Sequence, residues 1–301
     1  MVLLTSRIAP SDQSAKPHDG PLAIICGAGV LPYAIADNIL SQGRAVVLFA
    51  IRGWADATAV ERFNHHWITI GQFGRLRRLL HKEGCRDVVL IGGLVRPSIS
   101  QIKLDWATIR LLPRLIRAFR GGDDHLLSSL AAIFTESGFY LMGAHEVAPD
   151  ILMPVGALGH ITPNERDNAD IARALELLAA MGRFDVGQGA IVADDRVLAV
   201  EAAEGTDRML AHIVNLRREG RIHSPVGVGV LVKAPKSGQD RRFDLPSIGP
   251  ATIEGVAAAG LAGVACIAGA TLLAGSDAII AAANRANVFV VGIPDPAATV
   301  R

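Results

Sequence analysis

The sequence predicts an α/β protein of two domains, a Rossmann-like N-terminal domain followed by a second α/β domain. Short β-branched apolar runs alternate with longer helical periods from Pro21 onward, the pattern of a parallel sheet covered by helices. The alternation restarts after a stretch rich in breakers, Pro149, Pro154, Gly156, Gly159 and Pro163, which marks a domain junction. With 301 residues, 50% of them hydrophobic and 20% charged, the chain can fill two cores of ordinary size. The expected division is a flexible tail over 1–20, a Rossmann-like domain with a helical linker over 21–150, and a second α/β domain over 151–301.

In order, LAIIC (22–26) reads as a strand, LPYAIADNILSQG as a helix, AVVLFAI as a strand, WITI (67–70) as a short strand, FGRLRRLLHKEG as a helix and RDVVLIGGLV as a strand. Helical periods follow from about Trp106 to Phe119 and from Asp124 to Ser137, leading into FYLMGA. The second half opens with the helix ADIARALELLAAMG. In AIVADDRVLAVEA two β-type runs flank a turn at Asp194 and Asp195, an antiparallel hairpin. Then come helix TDRMLAHIVNLRREG, strand VGVGVLV, a charged loop, helix ATIEGVAAAG, strand GVACIAG, helix DAIIAAANRA and strand VFVVGI.

A formal charge of +1 gives no reason to expect nucleic acid as a partner. Cys26, Cys85 and Cys266 are far apart and lie in apolar runs, so neither a disulfide framework nor a Cys metal site is written, and a reducing, cytoplasmic compartment is expected. The first twenty residues lack the continuous apolar core of a signal peptide. Any membrane contact is expected to be peripheral.

The chemistry sits at strand ends. CGAGVLP (26–32) occupies a strand-to-helix turn, where glycines let backbone amides approach a phosphate. A purely structural turn reads equally well. Pro32 stands where a dinucleotide fingerprint needs its third glycine, and no ribose-gripping acid closes the next strand, which argues against nicotinamide. GQFGR (71–75) and IGGLVRP (91–97) put two more glycine turns at neighbouring strand ends, where open parallel sheets bind ligands. Arg110, Arg114 and Arg117 line one face of the 106–119 helix, either a solvated face or a membrane-surface one. In GGDDHLL, capping uses one of Asp123 and Asp124 and leaves the other for metal or substrate. EAAEGTD (201–207) carries more acid than a helix cap at Thr206 or Asp207 needs, and DVGQG brings Gln188 into the same half. In GQDRRFDLPSIG (238–249), Asp240 and Asp244 are either acids neutralised by Arg241 and Arg242 or a Mg²⁺ site near Lys233 and Lys236, since hard oxygen ligands hold Mg²⁺.

Taken together, GAGVLP (27–32), GGLVRP (92–97), GDDHLL (122–127), DVGQG (185–189), VEAAEGTD (200–207) and VKAPKSGQDRRFDLPSIGPATI (232–253) resemble the UDP-2,3-diacylglucosamine pyrophosphatase family of the LpxI type, from lipid A biosynthesis. The likeness runs from Pro21 to about Ile293. It implies two α/β domains with the active site between them, a tendency to dimerise, and Mg²⁺-dependent hydrolysis of a lipid nucleotide-sugar to UMP and a sugar 1-phosphate, with water attacking the sugar-side phosphorus. The essential aspartate of the family maps onto Asp240, with Asp244 second. On this reading Asp240 and Asp244 hold metal and Asp240, Asp207 and Lys233 act in catalysis. Gly27, Gly29, Leu31, Gln72, Gly93, Asp123, Gln188 and Thr206 contact substrate. The rival readings are a Rossmann-type oxidoreductase and a non-catalytic nucleotide-sugar or lipid binder.

Overall fold

The computed structural model describes residues 18–94, 103–119, 123–184, 186–236, 240–242 and 245–295. The first half runs β1 (Leu22–Cys26), α1 (Leu31–Ser41), β2 (Val46–Ile51), α2 (Ala57–Val60), β3 (His65–Ile68), α3 (Phe73–Lys82), β4 (Asp87–Ile91), α4 (Trp106–Phe119), α5 (Asp123–Glu136), β5 (Tyr140–Met142) and α6 (Ala144–Val147). Its five strands pair in parallel in the order β3-β2-β1-β4-β5. Every residue of β1 and β2 is buried, as expected for central strands covered on both faces. Pro32 opens α1, where its missing N–H costs nothing. Phe49, fully buried, contributes roughly 1.5–3 kcal/mol by leaving water.

The second half runs β6 (Gly156–Leu158), α7 (Glu165–Met181), β7 (Gly189–Ala193), β8 (Arg196–Val200), α8 (Thr206–Arg218), β9 (Val230–Lys233), β10 (Ser247–Ile248), α9 (Pro250–Ala258), β11 (Gly263–Ile267), β12 (Leu272–Leu273), α10 (Ser276–Ala286) and β13 (Phe289–Ile293). Its sheet has the order β6-β13-β11-β9-β7-β8, with β9, β11 and β13 parallel and the other pairings antiparallel. The expected hairpin turn is present. Asp194 and Asp195 take φ of 54° and 59°, and their amides donate to the buried Asp170 carboxylate at 3.1 and 2.7 Å.

Several expectations shift. The third strand is HHWI rather than WITI, because β2 ends at Ile51, which pairs with Ile68, so the ladder has no partner beyond it. VGVGVLV enters the ladder only at Val230, since Gly227 and Gly229 have φ of 82° and 100°. β6, β10 and β12 were not anticipated. Residues 18–20, assigned to the tail, are tied down: His18 bonds Asp87 through its ring at 2.8 Å, and Arg44 reaches the same buried carboxylate at 2.6 Å and the Gly20 carbonyl at 3.0 Å. The rest of the expected tail lies outside the described residues.

The two halves share core. Leu272 is buried among first-half residues such as Met142, Val147 and Ala148. Among the described residues no helix is long and apolar enough to cross a membrane.

The turns after β1 and β4 are zipped together: Ala28 and Gly93 exchange amide–carbonyl bonds of 2.9 Å each. A Cβ at Gly27 would lie 2.6 Å from the Gly93 carbonyl oxygen and 3.0 Å from that of Gly92, and neither backbone atom can give way. Gly27→Ala is expected to cost roughly 1–3 kcal/mol as overpacking. At Gly93 a Cβ meets only the Ala28 Cβ at 4.0 Å, so Gly93→Ala should stay within about 0.5 kcal/mol of the parent; urea unfolding midpoints of the pair check this.

Candidate active site

At the carboxyl edge of the first sheet, the strand-end glycines are partly committed to the fold. The Gly27 amide donates to the Ile91 carbonyl at 3.0 Å, and the amides of Ala28 and Gly93 are used by their mutual bridge. Gly29, at φ 99°, has open space where a Cβ would point. Leu31 begins α1 and packs at the margin of the core. Gln72 precedes α3 and accepts from Arg75 at 3.4 Å. Asp123 is the first residue of α5.

The second half gathers Gly189, Glu201, Thr206 and the end of β9 around one buried ammonium. Lys233 is 6% exposed. Its Nζ donates to Thr206 Oγ1 at 2.7 Å and to the Ser247 carbonyl at 3.3 Å, and lies 3.8 Å from Glu201 Oε2. The Thr206 hydroxyl donates onward to Glu201 Oε1 at 2.9 Å. Glu201 Oε2 is itself buried and accepts no hydrogen bond, leaving it only the field of Lys233. Gly189 makes room for this carboxylate, since a Cβ there would sit 2.6 Å from Oε2. Gln188 fixes the adjoining edge, its carbonyl accepting from the Ala234 amide at 3.0 Å. Taking an ammonium out of water costs several kcal/mol; two hydrogen bonds and a nearby carboxylate offset it. Asp207 is exposed in the first turn of α8 and stands outside this cluster. Glu201 was singled out in sequence only as one of several acids.

The loop after β9 reaches the first half. Both oxygens of Asp240 are gripped by Arg242: Nη2 donates to Oδ2 at 2.6 Å, and Nε and the backbone amide donate to Oδ1 at 3.0 and 3.1 Å. Burial alone would raise the Asp240 pKa, but the Arg242 hydrogen bonds outweigh it and hold the carboxyl below its ordinary range. Arg241 pairs with Asp295 beyond β13 at 3.1 Å. Against this loop lies His145 of α6, in the electrostatic field of Arg241 and Asp240, its Nδ1 buried and unpartnered. Burial pushes the imidazole pKa down, so it is neutral at pH 7. Beside it, Glu146 accepts from the Gly143 amide at 2.5 Å.

His145 went unmarked in the sequence, yet Gly143-Ala144-His145-Glu146 follows β5 as another glycine-bearing strand end. The rule that found Gly29, Gln72 and Gly93 would have found it.

A groove of about 1260 Å³ opens beside the loop, lined by Arg241, Asp295, Gly269, Met153, Leu158 and Leu273 among others. It lies outside the carboxyl ends of β11 and β13 and does not include the Lys233 cluster. Among the described residues no three His, Cys, Asp or Glu side chains converge as for a metal; Asp244 lies outside those residues. Burial pushes the thiols of Cys26 and Cys85 to about 11 and that of Cys266 to about 12, so none is a nucleophile at neutral pH.

Two parallel-centred sheets, with charged side chains at their strand ends and a loop from the second resting on the first, define a two-domain α/β protein. The chain belongs to the LpxI family: the LpxI N-terminal domain matches residues 21–151 and the LpxI C-terminal domain residues 154–291. It is 42% identical over 275 residues to the UDP-2,3-diacylglucosamine pyrophosphatase LpxI of Caulobacter vibrioides, covering 91% of this chain and 98% of that one. Solved structures share much less. A UDP-glucose 4-epimerase of Thermus thermophilus in complex with NAD is 12% identical, with TM-score 0.28 over 91% of this chain and 86% of that one. The epimerase of Brucella ovis, also with NAD, is 16% identical, with TM-score 0.27 over 67% and 74%. At such scores the likeness carries no inference about ligand.

His145 gives a pH signature. Its folded pKa lies below the ordinary 6.5, so as pH falls from about 6.5 the unfolded chain binds a proton that the folded chain refuses. The stability present above that value is lost on the way down to the folded pKa. Urea midpoints at pH 7.5 and 5.5 should differ less in His145→Asn than in the parent.

Proposed function

We propose that this chain hydrolyses the pyrophosphate of UDP-2,3-diacylglucosamine, giving UMP and 2,3-diacylglucosamine 1-phosphate for lipid A biosynthesis, by water attack on the sugar-side phosphorus. The reading is carried by the 42% identity that spans 98% of the Caulobacter pyrophosphatase, with both family domains in order. The site chemistry agrees with it. A diphosphate needs fixed positive charge and an oriented water, and the second half supplies Arg241, Arg242 and the Lys233 cluster at strand ends.

Each group has a part in this reading. Asp240, kept ionised by Arg242, is a weak base, so it holds metal and orients water rather than taking the proton. Asp240 and Asp244 would hold Mg²⁺, with Asp207 assisting, since this ion is commonly held by one or two carboxylates together with substrate phosphates; Arg242 would yield an Asp240 oxygen to it. When bound, Mg²⁺ offsets charge on the diphosphate oxygens. Arg241 and Arg242 have the fork geometry for phosphate oxygens. Lys233, almost fully buried, is a positioning residue that orients the Thr206 hydroxyl and adds a fixed positive potential. Gly29, Leu31, Gln72 and Asp123 of the first half, with Gln188 of the second, contact the rest of the substrate. The Gly27 and Gly93 amides are spent on the fold, so those glycines act there by allowing close approach.

Replacement of Asp240 by Ala is expected to lower UMP release by about 10²–10³-fold while calorimetric substrate affinity changes little. Chelation of divalent ions should silence the parent enzyme and Mg²⁺ should restore it. Normal turnover by the Asp240→Ala protein, or turnover unaffected by chelator, contradicts the assignment.

A further inference from the structure

The helix α4 carries an apolar stripe on its solvent side. Trp106 is 69% exposed, Ile116 47% and Ile109 42%, and with the exposed Pro113 they fall at i, i+3, i+7 and i+10, one face of a helix. The face packed inward is different, with Thr108 buried and Leu112 and Leu115 partly so. Large aliphatic and indole groups held in water in a row mark a contact surface rather than a chance exposure.

The charges beside the stripe identify what it meets. Residues 106–119 contain three arginines and no acid. Arg114 is neutralised by Glu136 at 2.7 Å, whereas Arg110 and Arg117 form no ion pair with any described residue. Arg110 lies over the Trp106 ring at 5.5 Å, and Arg117 Nε donates to the Pro113 carbonyl at 3.2 Å. Both cations are thus drawn alongside the stripe. Asp105, the acid just before the helix, is occupied, accepting from the Arg75 and Thr108 amides at 3.0 and 2.9 Å. An apolar face edged by tryptophan and by arginines without an ion pair among the described residues is the composition of a helix that lies in the interface of an anionic bilayer.

Its position gives the contact a purpose. The start of α4 is sewn to the strand-end turn at Gln72: the Lys103 amide donates to the Ile70 carbonyl at 3.1 Å, that of Asp105 to the Gly71 carbonyl at 3.0 Å, and that of Phe73 to the Thr108 hydroxyl at 2.9 Å. Val30 and Leu94, also exposed, follow the turns after β1 and β4 on that same carboxyl edge, and Leu104, 45% exposed, joins the edge to the helix. We propose that α4 docks on an anionic phospholipid bilayer and so presents the carboxyl edge of the first sheet to the membrane surface, where a diacylated substrate resides. The value of this placement for catalysis rests on the function proposed above; the docking itself does not.

The test uses the full chain and flotation with vesicles of phosphatidylethanolamine plus phosphatidylglycerol, against phosphatidylcholine vesicles, at low and high salt. The parent should float with the anionic vesicles and release at high salt. Arg110→Gln and Arg117→Gln should each lower partitioning about fivefold, and Trp106→Ser with Ile109→Ser should lower it on both vesicle types. Hydrolysis of detergent-dispersed substrate should be unchanged in all of them, and unaltered unfolding midpoints establish that these surface changes leave the fold intact. Failure of the parent to bind anionic vesicles, or equal binding by the variants, overturns the proposal. A fall in light-scattering mass in the variants without loss of vesicle binding identifies the face as a contact between copies and overturns it too. A parent that floats but does not hydrolyse separates the two readings: the docking stands and the proposed function falls.

Discussion

The second half is organised around one buried cation. Lys233 ends β9 with its ammonium out of water, and that state is tolerable only because Thr206, Ser247 and Glu201 arrive from three other segments to meet it. Those segments are the start of α8, the strand β10 and the loop after β8. Each is set by something local: Gly205 at φ 79° turns the chain into α8, and Gly187 and Gly189 leave the space Glu201 fills. Removing any one partner leaves a buried charge short of compensation, the costly case for ion pairs. The cluster thereby holds the strand end from which the Asp240 loop departs.

The first half solves a different problem. Its order β3-β2-β1-β4-β5 places a topological switch between β1 and β4, where doubly wound sheets bind ligands. In many such folds the glycine turn there offers its amides to a phosphate. Here the Ala28–Gly93 bridge commits two of those amides to the fold, and Arg241, Arg242 and Lys233 of the second half are each held by a partner of their own. Leu272 buried in the first half's core and the Asp240 loop against His145 bring the two halves into contact, at the cost of a desolvated imidazole.

The alternation of β-branched runs with helical periods made the parallel sheets legible, and the paired aspartates at 194 and 195 made the hairpin legible, because both signals are local. β10 and β12 were illegible: two residues have no periodicity, and Ser247 and Ile248 become a strand only because Leu272 and Leu273 lie beside them. The same holds for the site. Lys233, Thr206 and Gln188 announced themselves as polar groups at strand and helix ends. The bond from Lys233 to Thr206 joins residues 27 apart and has no sequence signature. Nor does the partnership of His145 with a loop almost a hundred residues later.

Phosphorus-31 NMR of the purified chain with UDP-2,3-diacylglucosamine and Mg²⁺ tests the central claim most directly. The expected result is loss of the two coupled diphosphate resonances and growth of two phosphomonoester resonances in equal amounts, one matching UMP. Persistence of the diphosphate signals, or a single monoester accompanied by inorganic phosphate, would contradict it.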